Sequence, residues 1–186
     1  PLTSATPGLP PASKWALHRL NTAVKTTVDA MEVYDFANAT TGVYAFWQYD
    51  VCDVFIELMK PVMNGSDEVA KKATRDTLWT CLDAGLRLLH PFMPFVTEEL
   101  WQRLPRRAAE TAPSIMVADY PAFTDDRTDN AVEESMAVAQ EIVKATRSLR
   151  AAYNLPPKTK AELFIVTRGD AATDAAKQFS AGIAAL

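Results

Sequence analysis

Glycine, cysteine and histidine are all scarce in this chain, with six, two and two residues among 186. The glycines are scattered at 8, 42, 65, 85, 169 and 182, so no stretch approaches the spacing with which a glycine-rich loop cradles phosphates. His18 and His90 have no cysteine, serine or carboxylate arrangement beside them that would define a triad or a metal site; His90, just before Pro91, is expected to be a corner residue bonded to backbone. Cys52 and Cys81 both fall inside helical patterns and read as two buried thiols of a reducing compartment rather than a disulfide or metal site. No run of 18 apolar residues exists and no basic flank precedes an apolar core at the start. Neither a membrane span nor a signal peptide is therefore expected, and the compartment reads as cytoplasmic. A formal charge of −4 has the wrong sign for a protein that coats nucleic acid indiscriminately.

What the chain has in quantity is helical periodicity. Four of its 12 prolines stand in the first eleven residues, a stiff entry (1–11). Leu17, Leu20, Val24, Val28 and Met31 then mark one face of a helix over roughly 12–33, started by Ser13 or by the Pro10-Pro11 pair. A second stripe runs through Phe36, Thr40, Val43, Trp47, Val51, Val54, Leu58 and Val62, with Asp35 as its cap and Pro61 to Gly65 as its end. Leu78, Cys81, Leu82, Gly85, Leu86 and Leu89 define a third helix, opened by Ser66 or Asp67.

Pro91 and Pro94 interrupt that helix, and Phe92, Met93, Phe95 and Val96 surround the break, so the spacing predicts an apolar corner buried against other elements. Beyond it Thr97 is expected to cap a short helix with Glu98 and Glu99 in its first turn and Leu100, Trp101 and Leu104 following. Adjacent helical positions point about 100° apart, so Glu98 and Glu99 do not make an acid/base pair.

The remainder is less regular. Ser114 to Ala118 reads as a brief strand or a packed apolar run, and a fifth helix near 129–153 is striped by Val132, Met136, Ala139, Val143 and Thr146. Ala161 to Thr167 is the one convincing strand, expected to pair with the Ser114 run or with sequence outside this chain, and Asp170 is expected to cap a final alanine-rich helix. The fold class is thus mainly α: an antiparallel helical bundle (12–112, with a further helix at 129–154 after a connecting segment at 113–128) bearing a small α/β appendage of one strand plus helix at 155–186.

Charge is unevenly spread. Residues 119–134 hold six acids and one base, whereas residues 142–160 hold Lys144, Arg147, Arg150, Lys158 and Lys160 and no acid. Trp101, Arg103, Arg106 and Arg107 place one aromatic ring and three guanidinium groups within seven residues at a helix end. Such a grouping suits phosphates and unstacked bases, although Trp101 also fits a core and helix-terminal arginines also meet the dipole. Arg150 lies closer to the apolar stripe and reads as structural, pairing with a carboxylate.

Several segments carry a resemblance. Residues 88–104 (Leu-Leu-His-Pro-Phe-Met-Pro-Phe-Val-Thr-Glu-Glu-Leu-Trp-Gln-Arg-Leu) resemble the helix-corner-helix signature in the anticodon-binding domain of class I aminoacyl-tRNA synthetases for valine, isoleucine and leucine. Asn21 to Val24, Tyr34-Asp35-Phe36, the run from Tyr44 to Pro61, Pro113 to Ala118 and Arg147 to Leu155 are similar to the valine-specific group, in forms like those of the eukaryotic cytosol. The likeness extends from about Trp15 to the end. It implies a helical domain that docks the anticodon end of the tRNA for valine, attached to catalytic and editing domains that use ATP and Mg²⁺.

The group's two ATP-handling signatures, His-Ile-Gly-His and Lys-Met-Ser-Lys-Ser, are not in these residues, so no catalytic residue, cofactor or metal site is expected in the chain itself. The tRNA-contacting residues expected from charge and location are Arg103, Arg106, Arg107, Lys144 and Arg147, with Lys71, Lys72 and Arg75 as weaker candidates. The alternatives are a non-catalytic helical protein-interaction module derived from a synthetase, and the same domain of an isoleucine or leucine relative.

Overall fold

Pro10 is extended and Pro11 takes the first helical position, where the missing NH is not needed; together they open α1 (Pro11–Glu32). The computed structural model describes residues 2–107, 111–156 and 159–185, so Lys158 lies outside the described residues. After α1 come α2 (Phe36–Ala45), a π-helical segment (Phe46–Phe55), α3 (Ile56–Asn64), α4 (Glu68–Leu89), α5 (Pro94–Arg103), α6 (Asn130–Ala152), α7 (Asp170–Gln178) and α8 (Ser180–Ala185). Two 3-10 turns, Ile115–Val117 and Asp125–Arg127, punctuate the connection between α5 and α6.

The first helix is the centre of the bundle. It packs against α2, the π segment, α4 and α6, and its Leu17, Leu20 and Val24 are buried as the periodicity predicts. Val132, Met136, Ala139 and Val143 of α6 complete this core. Two polar anchors hold the long connection against α1. The Asn21 side-chain amide donates to the Thr124 carbonyl (2.8 Å) and Thr128 Oγ1 (3.1 Å) while its oxygen accepts from the Thr124 NH (3.0 Å). Arg19 reaches both Asp50 of the π segment (3.0 Å) and Glu133 of α6 (3.2 Å). Desolvation pushes the Asp50 carboxyl above its ordinary value, and the charge and hydrogen bond of Arg19 pull against that.

The second stripe differs from expectation in its register. The Ile56 NH bonds to the Val51 carbonyl five residues back, and burial accordingly recurs at Phe46 and Val51 and at Asp50 and Phe55. Trp47 and Val54 are only partly buried and Cys52 is exposed rather than buried, because the wider turns rotate these positions off the core face; Phe36, at the start of α2, is exposed as well. Asp35 caps α2 as read from sequence, and of the two candidates Ser66 and Asp67 it is Asp67 that caps α4.

Three further expectations are corrected. The second helix after the corner begins at Pro94, not after Thr97; Thr97 is fully buried inside α5, its hydroxyl donating to Met93 O (2.8 Å) and meeting His90 Nδ1 (2.7 Å), so His90 bonds to a side chain. The corner is buried only in part: Phe92 packs against the main core and the other apolar residues do not. Thr97 and Trp101, four residues apart, form the inward face of α5, which turns Met93, Val96 and Leu100 outward and leaves Phe95 90% exposed.

Finally, Ala161 to Thr167 is no strand, and the Ser114 run forms a 3-10 turn whose Ile115 packs with Leu86 and Trp101. Strand-forming residues without a partner ladder do not hold a strand by themselves. Asp170 is the first residue of α7, with Gly169 before it, and α7 packs on α6 and α8 on α3, so among the described residues the C-terminal part is helical with no sheet.

Candidate nucleic-acid interface

The N-terminal half of α4 carries Lys72 and Arg75 at its surface because the opposite side, Thr74, Thr77 and Cys81, faces the core, whereas the Lys71 side chain, three residues before Thr74, is largely covered. Lys71 pairs with Glu68 at 2.8 Å, which together with the more distant charge of Arg75 holds the Glu68 carboxyl below its ordinary value. One carboxylate then joins this helix to the segment after α5. Asp76 takes Lys72 Nζ on one oxygen (2.7 Å) and Arg107 Nη2 on the other (3.0 Å). The Arg107 guanidinium also lies 3.9 Å from the centre of the Trp79 ring, and the Trp79 indole NH donates to the Pro105 carbonyl (2.9 Å).

A parallel arrangement sits on Trp101. Its indole NH donates to Asp83 Oδ1 (2.7 Å), and the guanidinium groups of Arg106 and Arg87 lie 4.0 Å and 5.6 Å from its ring centre. Arg106 further donates to the Ala112 carbonyl (3.1 Å) and to Gln102 Oε1 (2.9 Å). Glu98 accepts from Gln102, from Ser114 Oγ (2.7 Å) and from the Ile115 NH (3.0 Å), and these bonds hold its carboxyl below its ordinary value. Arg106 and Glu98 therefore fasten the chain after α5 back onto α5. Arg103 pairs with Glu99 one turn earlier and is otherwise exposed.

The candidates thus fall into groups that sequence did not sort. Lys72 and Arg107 meet at Asp76, with Lys71 and Arg75 on the same helical turns. Arg106 is absorbed in stacking on Trp101 and in bonds to the connector. Lys144 and Arg147 lie on α6, which packs on α1, α7 and α8 rather than beside α5. Lys144 is solvent-exposed with a loose pairing to Glu141 at 3.6 Å. Arg147 lines a cavity of about 990 Å³ with Arg150, Lys160, Ile165 and Ile183. Arg150 bonds the carbonyls of Pro156 (2.7 Å) and Thr159 (2.9 Å), because the chain folds back beneath the end of α6.

Asp76 and Trp79, the residues that assemble the Lys72–Arg107 face, escaped the sequence reading. The Lys72 and Asp76 spacing of four was legible, but nothing in sequence brings Arg107 to them. Among the described residues no cluster of three or more histidines, cysteines, aspartates or glutamates is placed to hold a metal ion, and burial pushes the Cys81 thiol up to about 12.

Residues 13–165 match the family described as the anticodon-binding domain of tRNA ligase. The chain is 45% identical over 93% of its length to valine-tRNA ligase of Homo sapiens, 44% over 89% to that of Caenorhabditis elegans and 43% over 82% to that of Geobacter sulfurreducens. It spans 14%, 16% and 17% of the length of these three relatives.

Proposed function

The chain belongs to the anticodon-binding domain family of tRNA ligases, and on that premise we propose that it docks the anticodon end of the tRNA for valine within a valine-tRNA ligase. Attachment of valine, with the ATP it consumes and the Mg²⁺ it requires, is assigned to the catalytic part of such an enzyme, with an editing domain as a further neighbour. The reading that places it in the cytoplasm rests on the free thiols of Cys52 and Cys81; no helix among the described residues is long and apolar enough to cross a membrane.

The observation that carries the docking reading is the bridge at Asp76. It brings Lys72 of α4 and Arg107 of the following connection to one face, beside Arg75, with more cation than anion. Cations so fixed meet phosphates without first being ordered, and they add to binding that weakens with salt. Arg103, Lys144 and Arg147 extend the same chemistry, Arg106 acting from its place on Trp101.

Filter binding of the tRNA for valine to the full-length enzyme tests this. Lys72→Ala with Arg75→Ala is expected to weaken binding and to lower the salt slope by about one for each phosphate no longer neutralised. An unchanged affinity and slope would remove this face from the interface.

A further inference from the structure

From Thr26 to Met59 the sequence contains Asp29, Glu32, Asp35, Asp50, Asp53 and Glu57 and not one lysine, arginine or histidine. Cations from outside the stretch reach three of these acids: Lys25 pairs with Asp29 (2.7 Å), Arg19 with Asp50 (3.0 Å) and Lys60 with Glu57 (2.6 Å). Glu32, Asp35 and Asp53 have no ion pair among the described residues.

The same stretch turns its aromatic rings outward. Tyr34 is 80% exposed, Tyr44 59%, Tyr49 56% and Phe36 53%. These rings are ordered in pairs: Tyr34 and Phe36 stand edge to face at 6.4 Å, Tyr44 and Tyr49 at 6.0 Å. The second pair depends on the π register, because widened turns bring residues five apart nearly above one another. The first pair follows from the end of α1, where Tyr34 takes the left-handed position (φ 61°) of a Schellman cap, its NH bonding to the Met31 carbonyl (3.1 Å) and the Asp35 NH to the Ala30 carbonyl (2.8 Å). The cap of α1 and the π register thus leave both ring pairs facing solvent.

An aromatic face is electronegative, and so is its surround here. Phosphate-rich RNA is repelled by such a surface, whereas guanidinium and ammonium groups are attracted by rings and carboxylates together. We propose that the outer face of α2 and the π segment, with the turn at residues 33–36, docks a cationic segment of a protein partner. Its arginine or lysine side chains lie on the Tyr34–Phe36 and Tyr44–Tyr49 pairs, with Glu32, Asp35 and Asp53 as counter-charges. The two ring pairs stand on the order of 15 Å apart along the helix, so one short segment reaches both. None of the cations assigned to tRNA takes part.

The test uses the full-length chain and a fluorescent peptide of alternating arginine and alanine, compared by anisotropy with its glutamine-alanine counterpart. The arginine peptide is expected to bind and the glutamine peptide not. Tyr44→Ser with Tyr49→Ser is expected to weaken binding roughly tenfold, as removal of two exposed cation–π pairs would. Asp53→Lys should do the same, whereas Asp125→Asn with Asp126→Asn, on the distant acidic turn, should change it less than twofold. Tyr44→Phe with Tyr49→Phe keeps the rings and should bind like the parent, which separates removal of the rings from failure to fold. The proposal is overturned by equal binding of the two peptides, by equal weakening in the Asp53 and the Asp125/Asp126 variants, by indifference to the serine substitutions, or by a drop in tRNA rather than peptide affinity in the serine variant.

Discussion

The indole of Trp47 lies against the bare Cα of Gly85 and donates its NH to the Gly85 carbonyl at 3.2 Å. A methyl group on Gly85 would sit 2.8 Å from the indole ring, closer than side chains approach one another. Gly85→Ala should gain about 1 kcal/mol of helix propensity and lose about 1 to 3 kcal/mol to overpacking. The expected outcome is a lower midpoint in urea unfolding; a higher one would mean that Trp47 swings away freely.

Asn21→Ala should destabilise by about 1 to 3 kcal/mol, because it leaves the NH and carbonyl of Thr124 without their partner against α1. Amide hydrogen exchange locates the effect. Faster exchange confined to residues 124–128 is the predicted pattern, and uniform acceleration across α1 would contradict it.

Arg106 and the pair Lys72 and Arg75 should respond in opposite ways. Arg106→Ala removes a guanidinium stacked on buried Trp101 and bonded to the connector, so stability should fall by about 1 kcal/mol or more. Lys72→Ala with Arg75→Ala touches little that is buried and should leave the thermal midpoint nearly unchanged while weakening tRNA binding. Thermal melts beside filter binding on each variant decide this, and a reversed order would exchange the assigned roles.

Two carboxylates predict opposite slopes of stability with pH. Glu98 is held below its ordinary 4.5 by Gln102, Ser114 and the Ile115 NH, so its contribution is present above that value and lost as the pH falls through the depressed one. Asp50 is raised above its ordinary 3.8 by burial, so its contribution is full below that value and lost as the pH rises through the raised one. Denaturant titrations at several pH values should show Glu98→Gln flattening the acid limb, and Asp50→Asn gaining on the parent as the pH rises out of the acid range. The Glu98 effect is the smaller, since solvent reaches that side chain.

Features that depend on near neighbours were legible in the sequence. The stripe of α1, the Asp35 and Asp67 caps and the break at Pro91 and Pro94 each arise within a few residues. The π register was not, because steps of three and four fit an α-helix equally well and only the packing of Phe46 and Phe55 distinguishes them. Burial of the corner was misjudged for a related reason: composition says that Phe95 is apolar, but the position of Thr97 and Trp101 decides which side of α5 turns inward. At the candidate interface, the cations were visible and their grouping was not, since Arg107 meets Asp76 and Trp79 across 31 and 28 residues of chain.

The bond from Arg19 to Glu133 spans 114 residues, whereas α1, α2, the π segment and α4 meet over far shorter separations. Closing so large a loop is entropically slow, so the sixth helix should arrive on a bundle already formed by the others. Substituting Glu133 should then hasten unfolding and leave the refolding rate almost untouched, whereas substituting Asp50 should slow refolding too. On a ribosome, α1 would spend the synthesis of more than a hundred residues with one flank uncovered, guarded in the interval by the polar side chains of Asn21 and Arg19 that later receive the connection and the helix.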